Sequence, residues 1–115
     1  MTIEVKERTP GVSVVALAGD VDMSTSPRVR EVLLPCFQQG TSHVVVDLSR
    51  VSYIDSSGIA TLVEGLQLSR RGGIRFTLVG VSPSVDAVFE LAYLKDVFEM
   101  APGMDELFQG ELPRG

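Results

Sequence analysis

HVVVDLSRVSYIDSSGIATLVEGLQLSRRGG, residues 43–73, decides the fold. Its first seven residues, HVVVDLS, form a continuous apolar run of strand length, as expected of a strand buried on both faces. After a short loop the period changes. Ile59, Leu62, Val63 and Leu66 fall at i, i+3, i+4 and i+7, the stripe of an amphipathic helix. Arg70 and Arg71 suit the negative end of that helix, and Gly72 is read as its terminator. A buried strand followed directly by a helix is half of a unit that ends in a parallel strand.

The flanks supply the rest. Upstream, TIEVKE (2–7) alternates, with Ile3 and Val5 on one face, and reads as an edge strand. TPG (9–11) is a turn, and the valine-rich Val12–Leu17 segment is a second strand, so the two form an antiparallel hairpin. Ser26 before Pro27 starts a helix with the stripe Val29, Val32, Leu33, Cys36 and Phe37, and Gly40 ends it. Pro35 lies inside that pattern, so the last turn should be bent or separate. Downstream, IRFTLVGV (74–81) is a strand. SPSVDAVFELAYL (82–94) is a helix with Val85, Val88, Phe89 and Ala92 inward. DVFEM (96–100) is a short strand, and PGMDELFQ (102–109) makes a last helical turn or two. The order ββαβαβαβα predicts one α/β domain over residues 1–115. It should hold a mixed five-stranded sheet and about four helices, with its core at about 3–100 and a frayed tail at 110–115.

Bulk properties narrow the function. The chain has 115 residues, 44% of them hydrophobic and 22% charged, with a net charge of −5. Such a balance is that of a globular protein and disfavours phosphate backbones and anionic lipid, so no direct nucleic-acid or membrane partner is expected. The lone Cys36 excludes an internal disulfide and fits a reducing compartment. There is no signal-peptide pattern and no apolar run of membrane-spanning length, so a cytoplasmic protein is expected.

Chemistry concentrates where strands end and helices begin. Asp55, Ser56, Ser57 and Gly58 stand there. Asp55 or Ser56 can cap the helix, which leaves a serine over. That serine makes a poor nucleophile, because the only histidine, His43, enters its strand at the other end, roughly 15 Å away. A phosphate, in contrast, is stabilised at a helix N-terminus, and the following glycine leaves room for one. A second acidic cluster, GDVDMSTS (19–26), sets Asp20, Asp22 and Ser24 at alternate positions with Glu31 beyond. As a calcium loop it lacks glycine at Thr25 and is broken by Pro27. Asp20 with Asp22 also suits an aspartate-based phosphatase, and Asp47 a response-regulator receiver. The receiver wants a lysine–proline pair, and here Lys95 is followed by aspartate. Leu68 lies off the apolar stripe of its helix, either as an isolated exposed leucine or as a partner contact.

Together, LAGDVDMST, VVVDLSRVSYIDSSGIATL and RGGIRFTLVGVSPSVDAVFELAYL resemble the STAS domain family over about residues 3–100, and within it the bacterial anti-sigma factor antagonists. The resemblance implies a non-enzymatic regulator without cofactor or metal. It implies that Ser57 is phosphorylated by an anti-sigma factor that is also a serine kinase. The unphosphorylated form would bind that kinase and free its sigma factor, and a PP2C-type phosphatase would restore it. Asp22 and Asp55 match the family acids flanking the serine. Met23, Ser24, Thr25, Ser56 and Gly58 would complete a flat, small-residued docking surface. A STAS subunit of a lipid-transport or stress-signalling complex would share the fold without the switch. The sequence leaves the oligomeric state open between monomer and weak dimer.

Overall fold

The computed structural model describes residues 1–109, so the expected frayed tail at 110–115 lies outside the described residues. The elements are β1 (Thr2–Thr9), β2 (Val12–Ala18), α1 (Ser26–Leu33), a 3-10 turn (Leu34–Cys36), β3 (His43–Arg50), α2 (Ser56–Gly72), β4 (Arg75–Val79), α3 (Pro83–Leu91), β5 (Glu99–Ala101) and α4 (Met104–Leu107). The strands lie in sequence order in one five-stranded sheet. β1 is antiparallel to β2, and β2 to β5 run parallel. This is the expected α/β architecture of a mixed five-stranded sheet with four helices.

The two-residue period of the strands sorts their side chains between two faces. Val15, Leu17, Val44, Val46, Leu48, Phe76 and Leu78 pack with Val29 and Leu33 of α1, Ile59 and Leu62 of α2, and Val85 and Phe89 of α3. The other face carries a smaller cluster, Val12, Val45, Val79 and Phe108, against which Met104 and Leu107 of α4 pack. β3 is therefore buried on both sides, as its unbroken apolar run predicts. Val44, Val45, Val46 and Leu48 are each fully buried, and each contributes roughly 1.5–3 kcal/mol of transfer free energy.

Several boundaries differ from those expected, each for a local reason. Gly72 is the last residue of α2, and Gly73, in the left-handed region at φ 64°, ends it. Ser26 is a buried first residue of α1, and the cap position falls to Thr25. Proline at 35 does separate the last turn, as 3-10 helix. Ala92 is exposed rather than inward, because α3 stops at Leu91 and Ala92 is its C-terminal cap. β5 is shorter than expected and starts at Glu99, since Val97 is tied back to the carbonyl of Leu94 in a turn.

Candidate functional site

The loop after β2 and the loop after β3 run side by side. Val21 and Ile54 form an isolated parallel bridge. Val21 N–H donates to the Tyr53 carbonyl at 2.9 Å, and Asp55 N–H to the Val21 carbonyl at 3.0 Å. Both bridge residues are buried, so each loop is anchored by one apolar side chain and turns its next residue, Asp22 or Asp55, toward solvent.

Asp55 caps α2. Its Oδ1 accepts from Ser57 N–H at 2.9 Å, Gly58 N–H at 3.4 Å and the Ser57 hydroxyl at 2.5 Å. The cap is thus Asp55, and Ser56 is the exposed first residue of the helix. Ser57 is half-buried, one residue in. The hydroxyl contact is the largest of the causes that hold the Asp55 carboxyl below the ordinary aspartate range, and the charge of Asp22 opposes it. An acid so depressed stays ionised at neutral pH. It orients the serine proton and is too weak a base to remove it.

Asp22 repeats the arrangement. Its Oδ1 accepts from Ser24 N–H at 2.9 Å, the Ser24 hydroxyl at 2.6 Å and Thr25 N–H at 3.2 Å. Its pKa is lowered too, chiefly by the Ser24 hydroxyl. Thr25 Oγ1 donates to the Asp20 carbonyl at 2.8 Å and accepts from Asp22 N–H at 3.0 Å, which closes the turn.

Two expectations about this surface need correction. Gly58 is buried and belongs to the interior, not to the docking face. A Cβ there would lie 2.6 Å from both Ile54 Cγ1 and Val21 Cγ1. The glycine therefore lets α2 sit on the loop bridge and does not make room for a phosphate outside. Nor is the surface uniformly small-residued: Met23 is 78% exposed and Tyr53 51%. Sequence reasoning missed Tyr53. No local signal exposes it: Tyr53 turns outward because the next residue, Ile54, is drawn inward by its bridge to Val21.

The other candidates are dispersed. His43 is buried at the start of β3, where Nε2 lies 2.8 Å from Thr77 Oγ1. The Thr77 hydroxyl proton goes to Glu99 Oε1 at 3.0 Å, so Nε2 is the donor in the histidine contact. Asp47 Oδ1 accepts from Ser49 N–H at 2.9 Å, while Lys95 pairs with Asp86 at 3.0 Å. No receiver-like pair of Asp47 with Lys95 forms. Asp20 and Glu31 are exposed, and among the described residues no group of three or more His, Cys, Asp or Glu is placed to hold a metal ion. Among those residues no helix is long and apolar enough to cross a membrane. Leu68 is half-buried beside Phe37 and Ile74 in a groove of about 370 Å³. The Cys36 thiol, also half-buried, donates to the Val32 carbonyl at 3.4 Å, and burial pushes its pKa up.

Residues 4–107 match the STAS domain. An anti-sigma-B factor antagonist of Staphylococcus epidermidis is 34% identical over 91 residues, 79% of this chain and 84% of the relative. The crystal structure of an anti-sigma factor antagonist from Mycobacterium paratuberculosis superposes with a TM-score of 0.81 at 25% identity, covering 95% of this chain and 92% of that one. The Bacillus cell fate determinant SpoIIAA in its phosphorylated form gives a TM-score of 0.75 at 20% identity, covering 96% and 100%. With the family match spanning nearly all of its described length and a curated relative a third identical over most of it, the chain belongs to the STAS domain family.

Proposed function

We propose that the chain is an anti-sigma factor antagonist switched at Ser57. Unphosphorylated, it binds an anti-sigma factor that is also a serine kinase, and the sigma factor is released. The kinase transfers the γ-phosphoryl of ATP to Ser57 Oγ, the hydroxyl proton leaves, and the phosphoprotein dissociates until a PP2C-type phosphatase hydrolyses the ester. The chain itself is a cytoplasmic binding module and catalyses nothing.

The observation that carries this reading is the half-buried Ser57 hydroxyl in the first turn of α2, oriented by a carboxylate and remote from any histidine base. The relative's name, anti-sigma-B factor antagonist, supports it. So does the fold's occurrence in SpoIIAA in both an unphosphorylated and a phosphorylated form. Met23, Ser24, Tyr53 and Ser56, exposed around Ser57, form the docking face.

The physical logic is local. An ester on Ser57 Oγ removes the proton that Asp55 accepts, and it sets about −1.5 to −2 charges beside two ionised aspartates. The helix N-terminus offsets part of that repulsion in the free protein. At a desolvated contact without a matching cation, the added charge costs about 3–4 kcal/mol, a several-hundred-fold loss of affinity. No change of fold is required.

The test is incubation with the cognate kinase and ATP, followed by mass mapping and titration of the partner. Phosphate should map to Ser57, Ser57→Ala should bind constitutively, and Ser57→Asp should lose binding. Phosphate elsewhere, or undiminished binding by Ser57→Asp, would discard the reading.

A further inference from the structure

Among the described residues, the outer side of β1 is a long open edge of the sheet. Its register with β2 is unbroken from Thr2 to Glu7, and the first irregularity comes between Glu7 and Thr9. Every residue of β1 except Ile3 is exposed, Val5 at 48%. The opposite edge of the sheet, β5, has three residues. An edge of this length presents a row of main-chain groups that can template another strand. The strand contains no proline. What guards it is charge, Glu4, Lys6, Glu7 and Arg8, and charge repels or attracts according to what it meets.

The geometry points to a second copy of this chain as the occupant, its β1 adding antiparallel to this one about a twofold axis perpendicular to the sheet. In that symmetry a given residue lies on the same face in both copies and opposed residues share a face, so the axis must pass midway between one residue and its own copy. Centring on Glu4 opposes two glutamates; centring on Lys6 opposes two lysines and leaves Glu4 to pair with Arg8, which lies at the irregularity between Glu7 and Thr9. Centring on Val5 opposes Glu4 to Lys6 twice and sets the exposed Val5 against its own copy. Centres nearer either end shorten the overlap or run into the irregularity after Glu7. The Val5 register thus opposes no like charges, whereas its neighbour on either side sets one pair of like charges face to face at the axis. The Glu4–Lys6 pairs lie on the face away from α1, α2 and α3, because Glu4 and Lys6 oppose Ala16 and Val14. Val5 lies on the helix side, opposite the buried Val15.

The contact is small, so the dimer is weak and salt-sensitive. It joins two sheets into one continuous sheet, and the twofold reverses strand direction. The two Ser57 loops then lie at opposite ends, and a partner on one leaves the other clear. The inference stands apart from the phosphoswitch and survives its failure.

Sedimentation equilibrium on the full chain at low salt, up to about 1 mM, tests it. A reversible dimer that weakens with added salt is expected. Glu4→Lys alone and Lys6→Glu alone each turn two attractive pairs into repulsive ones and should raise the dissociation constant about tenfold. The double variant Glu4→Lys with Lys6→Glu restores both pairs and should return to within about threefold of the parent. Both positions are exposed, and circular dichroism checks that the variants fold. A chain that stays monomeric to the highest concentration overturns the proposal. So does a dimer indifferent to the single swaps, or one that the double swap leaves broken.

Discussion

Asp22-Met23-Ser24-Thr25 and Asp55-Ser56-Ser57-Gly58 make the same turn twice. In each, an aspartate Oδ1 accepts both the N–H and the hydroxyl of the serine two residues on, and also the next N–H. They differ in how that turn meets its helix. Ser24 precedes the cap residue Thr25 of an eight-residue helix, and Thr25 makes no side-chain cap bond. Ser57 lies inside the first turn of a 17-residue helix that Asp55 caps. Ser24 is exposed and Ser57 half-buried. The comparison teaches that a serine oriented by a carboxylate is cheap to build from sequence. A serine oriented by a carboxylate and also set among the donors of a long helix occurs at only one of the two turns.

The largest expected effect would break this comparison outright. With the cognate kinase and ATP, Ser57→Ala should abolish phosphate uptake, and Ser24→Ala should leave it intact, by intact-protein mass. Uptake at Ser24 would mean that the turn alone selects the acceptor and the helix is irrelevant.

A smaller effect sharpens the contrast at the fourth position of each turn. Gly58→Ala drives a methyl into Val21 and Ile54, and should cost about 1–3 kcal/mol of stability in denaturant unfolding. Thr25→Ala removes only the bonds to Asp20 and Asp22 at a partly exposed site, and should cost about 1 kcal/mol. Equal costs would remove the claim that α2 is seated on the loop bridge through its glycine.

How much of this was legible follows from the range of the interactions. The succession of elements along the chain, the double burial of β3 and the separate turn at Pro35 are periodicities or single-residue constraints, and they can be read locally. Asp55 as a capping residue was one of two choices, because a serine at 56 caps as well in isolation. The Val21–Ile54 bridge was not legible. It joins residues far apart in the chain, and neither loop carries a pattern that names the other. Without it the glycine after Ser57 looks like outward space, whereas it is an inward contact. Tyr53 escaped for the same reason: its exposure depends on which way Ile54 is drawn, and that is set by the bridge.

The smallest effect concerns the two carboxylates themselves. Both are held below the ordinary aspartate range, each chiefly by its own serine hydroxyl. Between the folded and unfolded values the unfolded chain binds a proton that the native chain does not. Each aspartate therefore stabilises the fold fully above the unfolded value, and that contribution is lost as pH falls through the depressed one. In a carboxyl-carbon NMR titration, Ser57→Ala should raise Asp55 and leave Asp22 in place, and Ser24→Ala should do the reverse. Each variant should also lose less stability than the parent on acidification, since the gap between its folded and unfolded values has narrowed. Asp22→Asn adds a final asymmetry. The Asp22 charge is among the influences that push Asp55 upward, so its removal should lower Asp55 further. An Asp55 that did not move would show that the two turns are electrically independent in spite of the bridge that sets them side by side, and one that rose would show that something other than the Asp22 charge couples them.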